Sequence, residues 1–161
     1  MTTSFGKALE ALVAAGEPVM LVSITDAKGS TPRSAGARMA VTSSEIFASV
    51  GGGHLEFQAI MHARRMLADG STDETIEVTL GPDMGQCCGG RVSLRLTRAD
   101  GETAVAIMAD EAEASLAAPL VLLFGAGHVG RALAAALCPL PLRLLWADER
   151  TDAFPAEIDD T

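Results

Sequence analysis

Residues Val121–Asp148 read VLLFGAGHVGRALAAALCPLPLRLLWAD, and this stretch decides the fold class. An apolar run, a glycine turn, an alanine-rich helical segment and a second apolar run follow one another and end on an acid. Gly125, Gly127 and Gly130 form G-x-G-x-x-G. In a βαβ dinucleotide-binding turn the first glycine permits the tight turn, the second lets a pyrophosphate approach the backbone, and the third lets helix and strand pack closely. The helix that begins near His128 would direct free N–H groups at an anion. Asp148, at the end of the second apolar run, stands where a ribose-binding acid belongs. The expected architecture is therefore α/β, with an incomplete Rossmann-type βαβ unit, because this unit has only two strands and a Rossmann domain needs more. Two such strands are not independently stable in water. The segment is expected to pack on the rest of the chain, to be completed by a second copy in a homodimer, or to be poorly ordered.

Upstream of this unit the sequence predicts a mixed α/β domain over residues 1–100 and a linker over 101–118, with the dinucleotide-type unit at 119–161. Ser4 caps a first helix through Ala15, with Leu9, Leu12 and Val13 on its apolar face, and Gly16 and Pro18 end it. Val19–Thr25 reads as a buried strand and Asp26–Arg38 as a loop. Met39–Thr42 and Ile46–Val50 read as strands, His54–Ala68 as a helix, and Thr75–Leu80 and Arg91–Thr97 as alternating strands. Glu102–Ala118 is acidic and alanine-rich and reads as a helix or a mixed linker.

Net charge is −9, unevenly spread. Asp26–Arg98 is balanced, whereas Ala99–Thr161 is strongly acidic, so no basic face for nucleic acid is expected. The N-terminus MTTSFGKALEALVAAGEP lacks the apolar core of a signal peptide. The uncharged stretch Ala114–Gly130 is interrupted by Pro119 and glycines and falls short of the roughly 20 apolar residues of a membrane span. The expectation is a cytoplasmic protein. Three cysteines, two adjacent, do not make a disulfide framework.

Most of the chain's 16 glycines sit in three loops at strand ends: Gly29–Arg38, Gly51–Gly53 and Gly81–Gly90. Glycine costs conformational entropy, so tight turns or a ligand touching backbone must explain them. Gly29–Ser30–Thr31–Pro32–Arg33 offers two hydroxyls and a guanidinium to an anion, although the same residues serve in an ordinary surface loop. Gly51–Gly52–Gly53–His54–Leu55–Glu56 opens a helix, where Glu56 would compete with an incoming anion for the helix N-terminus. Gln86–Cys87–Cys88 lies between glycines, so a thiol there can be approached closely as nucleophile, soft-metal ligand or sulfur carrier; the alternative is a small buried hydrophobe. His54, His62 and His128 read as structural or solvated, and Cys138 as core. No metal site has recognised spacing.

GSTPRSAGARM, GGGHLE, LGPDMGQCCGG and FGAGHVG, in that order, resemble the XdhC/CoxI family, the accessory proteins of xanthine dehydrogenase and related molybdenum hydroxylases. The resemblance runs from the first helix to WADERTDAFP. It implies a molybdenum-cofactor domain followed by a Rossmann-like domain, although chains of that family continue through further Rossmann strands. It also implies a chaperone that binds the molybdenum cofactor (molybdopterin), supports its sulfuration by a cysteine desulfurase and delivers it to apo xanthine dehydrogenase or a related molybdoenzyme. Carried over to this sequence, the resemblance assigns cofactor contact to Ser30, Thr31, Arg33, Gly52, Gly53, Glu56, Gln86, Cys87 and Cys88. The rival readings are an NAD(P)-dependent oxidoreductase using Gly125, Gly127, Gly130 and Asp148 for a dinucleotide, and a thiol-based sulfur carrier acting through Cys87 or Cys88.

Overall fold

The computed structural model describes residues 4–81 and 89–155. The fold is α/β, and it divides into two compact units, with the division between Ala106 and Ile107 inside one helix.

The first unit is built on five antiparallel strands. Helix α1 (Phe5–Ala14) precedes β1 (Val19–Lys28), β2 (Arg38–Val41) and β3 (Ile46–Ala48); helix α2 (Gly53–Asp69) precedes β4 (Asp73–Thr79) and β5 (Arg91–Ala99). The sheet order is β3-β2-β1-β5-β4. The central strand β1 is the most apolar, and Val19–Val22 are all buried. Strand β5 buries Val92, Leu94 and Leu96 and turns Arg91, Ser93, Arg95 and Thr97 the other way, the two-residue period of a strand covered on one face. That cover is α2. Its Leu55, Ala59, Ala63 and Met66 are spaced at three and four residues and fully buried against Met20, Val22, Ile24, Met39, Val41 and the apolar side of β5. Gly70, in the left-handed conformation, ends the helix and donates its N–H to the Met66 carbonyl at 3.0 Å.

Strands β3, β4 and β5 differ from the sequence reading by one or two residues at an end, and β1 differs more. Strand β1 continues to Lys28, through residues read as loop. A register shift between Ile24 and Asp26 marks a bulge, beyond which Asp26, Ala27 and Lys28 stay paired with Ser93, Val92 and Arg91. Pairing to β5 overrides the weak strand propensity of Asp26–Lys28. Of the two readings of Glu102–Ala118, helix or mixed linker, the structure has the helix: α3 (Gly101–Ala117), 17 residues long. Its start is fixed by Asp100, whose Oδ1 accepts the Thr103 N–H at 2.8 Å and the Thr103 hydroxyl at 2.7 Å, while the Asp100 N–H donates to Thr103 Oγ1 at 3.4 Å. This is a reciprocal cap. The same contacts hold the Asp100 carboxyl below its usual pKa.

The second unit contains β6 (Leu120–Phe124), α4 (His128–Leu137), β7 (Arg143–Ala147) and a 3-10 turn at Thr151–Ala153. Strands β6 and β7 pair in parallel from Leu120 opposite Arg143 to Phe124 opposite Ala147, with α4 as the crossover. Gly130 and Ala134 are the buried residues of α4. Leu120, Leu122, Phe124 and Leu145 are exposed along one side of the strand pair, which is therefore not covered on both faces. Cys138, expected in the core, caps α4 and is half-buried. Among the described residues no helix is long and apolar enough to cross a membrane.

Candidate functional site

In the first unit the glycine loops come together at one end of the sheet. Gly51 adopts φ 132°, and a Cβ there would lie 2.6 Å from Cγ of Pro32 and 3.7 Å from Cγ of Arg33. The GSTPR loop thus rests directly on the GGG turn, and only a glycine lets it do so. On its other flank the same loop meets the C-terminal end of the third one. Ser30 and Gly89 form a parallel bridge. A Cβ on Gly90 would lie 2.3 Å from the Ser30 carbonyl oxygen and 2.8 Å from that of Lys28. The Leu80 N–H donates to the Gly90 carbonyl at 2.7 Å and ties β4 to the same point. Gly36 N–H to Ile24 O at 2.8 Å and Ile24 N–H to Ala37 O at 2.9 Å fold the far half of the loop back on β1.

Glu56 is the internal anion of this region. Its Oε2 accepts the N–H groups of Val50 and Gly52, each at 3.2 Å, and the Ser49 hydroxyl; the Gly51 N–H in turn donates to Ser49 Oγ at 3.1 Å. Backbone donors that could serve a ligand are therefore spent internally, Gly51 on the Ser49 hydroxyl and Gly52 on the Glu56 carboxylate, which fixes the entry to α2. The chain reaches this knot through Ala48, a non-glycine residue at φ 64°. What remains for a ligand is the GSTPR side: the exposed Ser30, the half-buried Thr31 and the exposed Arg33. Among the described residues the Arg33 guanidinium has no carboxylate partner. Two hydroxyls and a guanidinium without a described carboxylate partner, on a backbone locked by Gly51 and Gly90, suit a phosphate-type anion. Gln86, Cys87 and Cys88 lie outside the described residues. No group of three or more His, Cys, Asp or Glu among the described residues could hold a metal ion.

Histidines in this unit serve locally. His54 contacts Gln58 at 3.1 Å across one turn of α2. His62 Nε2 lies 2.8 Å from Glu74 Oε2, and Arg65 reaches the same carboxylate at 3.0 Å, which pins α2 to β4 and lowers the Glu74 pKa.

The second unit has its own glycine turn. Gly125 has φ 97°, and a Cβ on Gly130 would lie 1.8 Å from the Gly125 carbonyl oxygen. That oxygen accepts Trp146 Nε1–H at 3.0 Å, and the Trp146 ring meets Phe154 edge-on at 5.2 Å. Arg131 donates through Nε to the Ala126 carbonyl at 3.1 Å and to the Ala153 carbonyl at 3.2 Å. Gly127 has open space where its Cβ would be, beside a concave surface lined by Phe124, Gly125, His128, Val129 and Leu133. Asp148 faces inward: its side chain is 4% exposed, Oδ2 accepts the Ala126 N–H at 2.6 Å, and Oδ1 accepts the Arg150 N–H at 2.9 Å. Arg150 adds Nε at 3.0 Å and Nη2 at 2.9 Å. The guanidinium first, then the two backbone N–H groups, hold the Asp148 carboxyl well below the usual carboxylate range. Its four contacts make it a brace between β7 and the glycine turn.

Sequence reasoning missed Ser49, Arg131, Trp146, Lys28 and Arg91. The last two carried a local signal, since Lys28 precedes Gly29 and Arg91 follows Gly90. Their proximity depends on β1–β5 register, which no local pattern encodes.

Residues 12–79 match the model of the XdhC and CoxI family. The matched span includes GSTPR and GGGHLE and ends before the cysteine loop. No curated protein matches the chain. A solved structure with the same fold is a xanthine dehydrogenase from Bacillus halodurans, 23% identical, with a TM-score of 0.55 over 65% of this chain and 33% of that one. The aligned part thus spans a third of that protein's length.

Proposed function

We propose, from the match of residues 12–79 to the XdhC and CoxI family, that this chain is a maturation factor for a molybdenum hydroxylase. It binds the molybdenum cofactor in its first unit, supports sulfuration of that cofactor by a cysteine desulfurase, and passes it to apo xanthine dehydrogenase or a related enzyme. It acts as a chaperone and not as a turnover enzyme. The observation that carries this reading is the seating of Pro32 and Arg33 on Gly51, with Ser30 bridged to Gly89. Three loops that are far apart in sequence present hydroxyls, a guanidinium and a route to the cysteine segment at one end of one sheet.

In this reading Ser30, Thr31 and Arg33 hold the phosphate of the pterin. Gly52 and Gly53 keep the floor low enough for the pterin to approach, and Glu56 keeps that floor rigid through Ser49, Val50 and Gly52. Gln86, Cys87 and Cys88 are assigned to the cofactor by the family resemblance, with one of the two thiols contacting it or receiving sulfur. When bound, the cofactor supplies the molybdenum–dithiolene centre that the target enzyme uses. The chain's own residues bind it, orient it and shield it from water. In the second unit Gly125, Gly127 and Gly130 offer a nucleotide the open backbone at Gly127, while Asp148 acts first as a brace. A homodimer, formed across the exposed Leu120, Leu122, Phe124 and Leu145 face, belongs to the same reading.

The test is retention. The purified chain, incubated with molybdenum cofactor and passed over a desalting column, should carry pterin fluorescence in stoichiometric amount and should restore activity to an apo molybdenum hydroxylase. An oxidoreductase would instead retain a nicotinamide nucleotide and reduce or oxidise it in the absence of any second enzyme.

A further inference from the structure

On the face of the first sheet turned away from α2's buried side chains, charges are paired across strands. Arg95 is answered by Asp73, with Nη2 to Oδ2 at 2.7 Å, and the Ser93 hydroxyl donates to Glu77. The pattern breaks at the end of the sheet. The β1–β5 register sets Lys28 directly opposite Arg91, two cations on neighbouring strands. Opposed residues of an antiparallel pair have Cβ atoms about 5 Å apart, and like charges in that position are destabilising. On its other side Arg91 sits opposite Thr79, and the nearest β4 carboxylate, Glu77, stands opposite Ser93 and accepts that residue's hydroxyl. Among the described residues Arg91 has no acidic partner, and Lys28 has one exposed contact, to Asp26 at 3.1 Å. This concentration of positive charge occurs in a chain whose net charge is −9.

The place is also shaped. Lys28, Gly29, Thr79, Gly89, Gly90 and Arg91 line a concavity of about 280 Å³. Its floor is backbone, because Gly29 and Gly90 approach so closely that a Cβ on Gly29 would lie 3.3 Å from the Gly90 Cα. Gly89, at φ 62°, leaves open space where a side chain would stand. Two cations of different geometry, a hydroxyl and a glycine floor form a receptor for a small multivalent oxyanion.

We propose that Lys28 and Arg91, with Thr79 and the Gly89–Gly90 backbone, form a phosphoryl-binding site distinct from the Ser30–Thr31–Arg33 group. The bound anion neutralises the like-charge pair that the strand register imposes. This site stands on register and strand-end geometry, so it holds or falls separately from the cofactor reading.

The experiment titrates the full chain with inorganic phosphate, at ionic strength held constant with sodium chloride, and follows the phosphorus-31 line width and the thermal unfolding midpoint. Saturable binding is expected, with a phosphate-dependent rise in midpoint. Arg91→Gln and Lys28→Gln, both exposed and expected to fold, should each weaken binding at least tenfold. Arg95→Gln removes the same charge from the same strand and should leave binding within twofold. Cytidine monophosphate distinguishes the source of the group: tighter binding than phosphate, still dependent on Arg91, identifies the phosphoryl end of a larger ligand, and equal binding identifies free phosphate. Either result supports the site. Unsaturable binding, or an Arg95→Gln loss equal to that of Arg91→Gln, overturns it.

Discussion

The carbonyl oxygen of Gly125 occupies the space that a side chain on Gly130 would need; an added Cβ would approach it to 1.8 Å. The first and third glycines of the turn are thus two halves of one contact, and the same oxygen accepts the Trp146 indole N–H. Gly130→Ala should therefore displace the β6–α4 turn. A cost of about 3 kcal/mol, the upper end for a side chain forced into filled space, is expected, since backbone cannot yield as a flexible side chain would. Hydrogen exchange over Leu120–Ala147 should accelerate strongly in this variant while Val19–Val22 in β1 stay protected. Gly127→Ala, with open space at that position, should leave exchange nearly unchanged.

Asp148 gives the second unit an acid-sensitive brace. Its folded pKa is lowered by Arg150 and by the N–H groups of Ala126 and Arg150. A lowered pKa means stability that is fully present above the unfolded value, near pH 4, and is lost as the pH falls below it. Exchange of the Ala126 amide should be slow at pH 6 and rise selectively as pH drops below about 4. Asp148→Asn should abolish that acid limb and speed exchange at pH 6.

Glu56 should matter to the first unit more than a surface helix-start acid would. Glu56→Ala removes the acceptor of two backbone N–H groups and of the Ser49 hydroxyl. Hydrogen bonds to a charged group contribute about 1.5–3 kcal/mol, and a loss in that range should appear as a lower unfolding midpoint. Faster exchange at Val50–Gly52 should accompany it. Glu56→Gln, which keeps one acceptor oxygen, should fall between the two.

Arg33 should distinguish ligand binding from structure. It is exposed and has no carboxylate partner among the described residues, so Arg33→Ala should leave the unfolding midpoint within experimental scatter. Cofactor retention should drop at least tenfold, and Arg33→Lys should restore only part of it, because an ammonium cannot reproduce a two-pronged guanidinium contact. Equal retention in all three chains would exclude Arg33 from the site.

What the sequence made legible follows the range of each interaction. The apolar spacing of Leu55, Ala59, Ala63 and Met66 lies within one helix, so α2 and its buried face could be read directly. The strand–turn–helix–strand order around Gly125 was equally local. The role of Asp148 was read by analogy as a ribose contact, but its 2.6 Å bond to Ala126 joins residues 22 apart and appears only after folding. The facing of Lys28 and Arg91 depends on strand register and on a bulge at Thr25 that no nearby residue announces. The cap at Asp100 is a further local signal that the sequence reading does not use. Thr103 three residues on has a hydroxyl where a capping box commonly has Glu or Gln, and this cap decides between the helix and the mixed linker that the alanine-rich stretch beyond it leaves open.

The most direct measurement of the central claim is cofactor retention by the full chain and its Cys87→Ala/Cys88→Ala variant, read as pterin fluorescence and molybdenum content after desalting. The wild-type chain should retain both in equal molar amounts, and the double variant should lose most of them while its circular dichroism and unfolding midpoint are unchanged. A wild-type chain that emerges free of pterin and molybdenum, under conditions where an apo molybdenum hydroxylase takes up the same cofactor, would contradict the account.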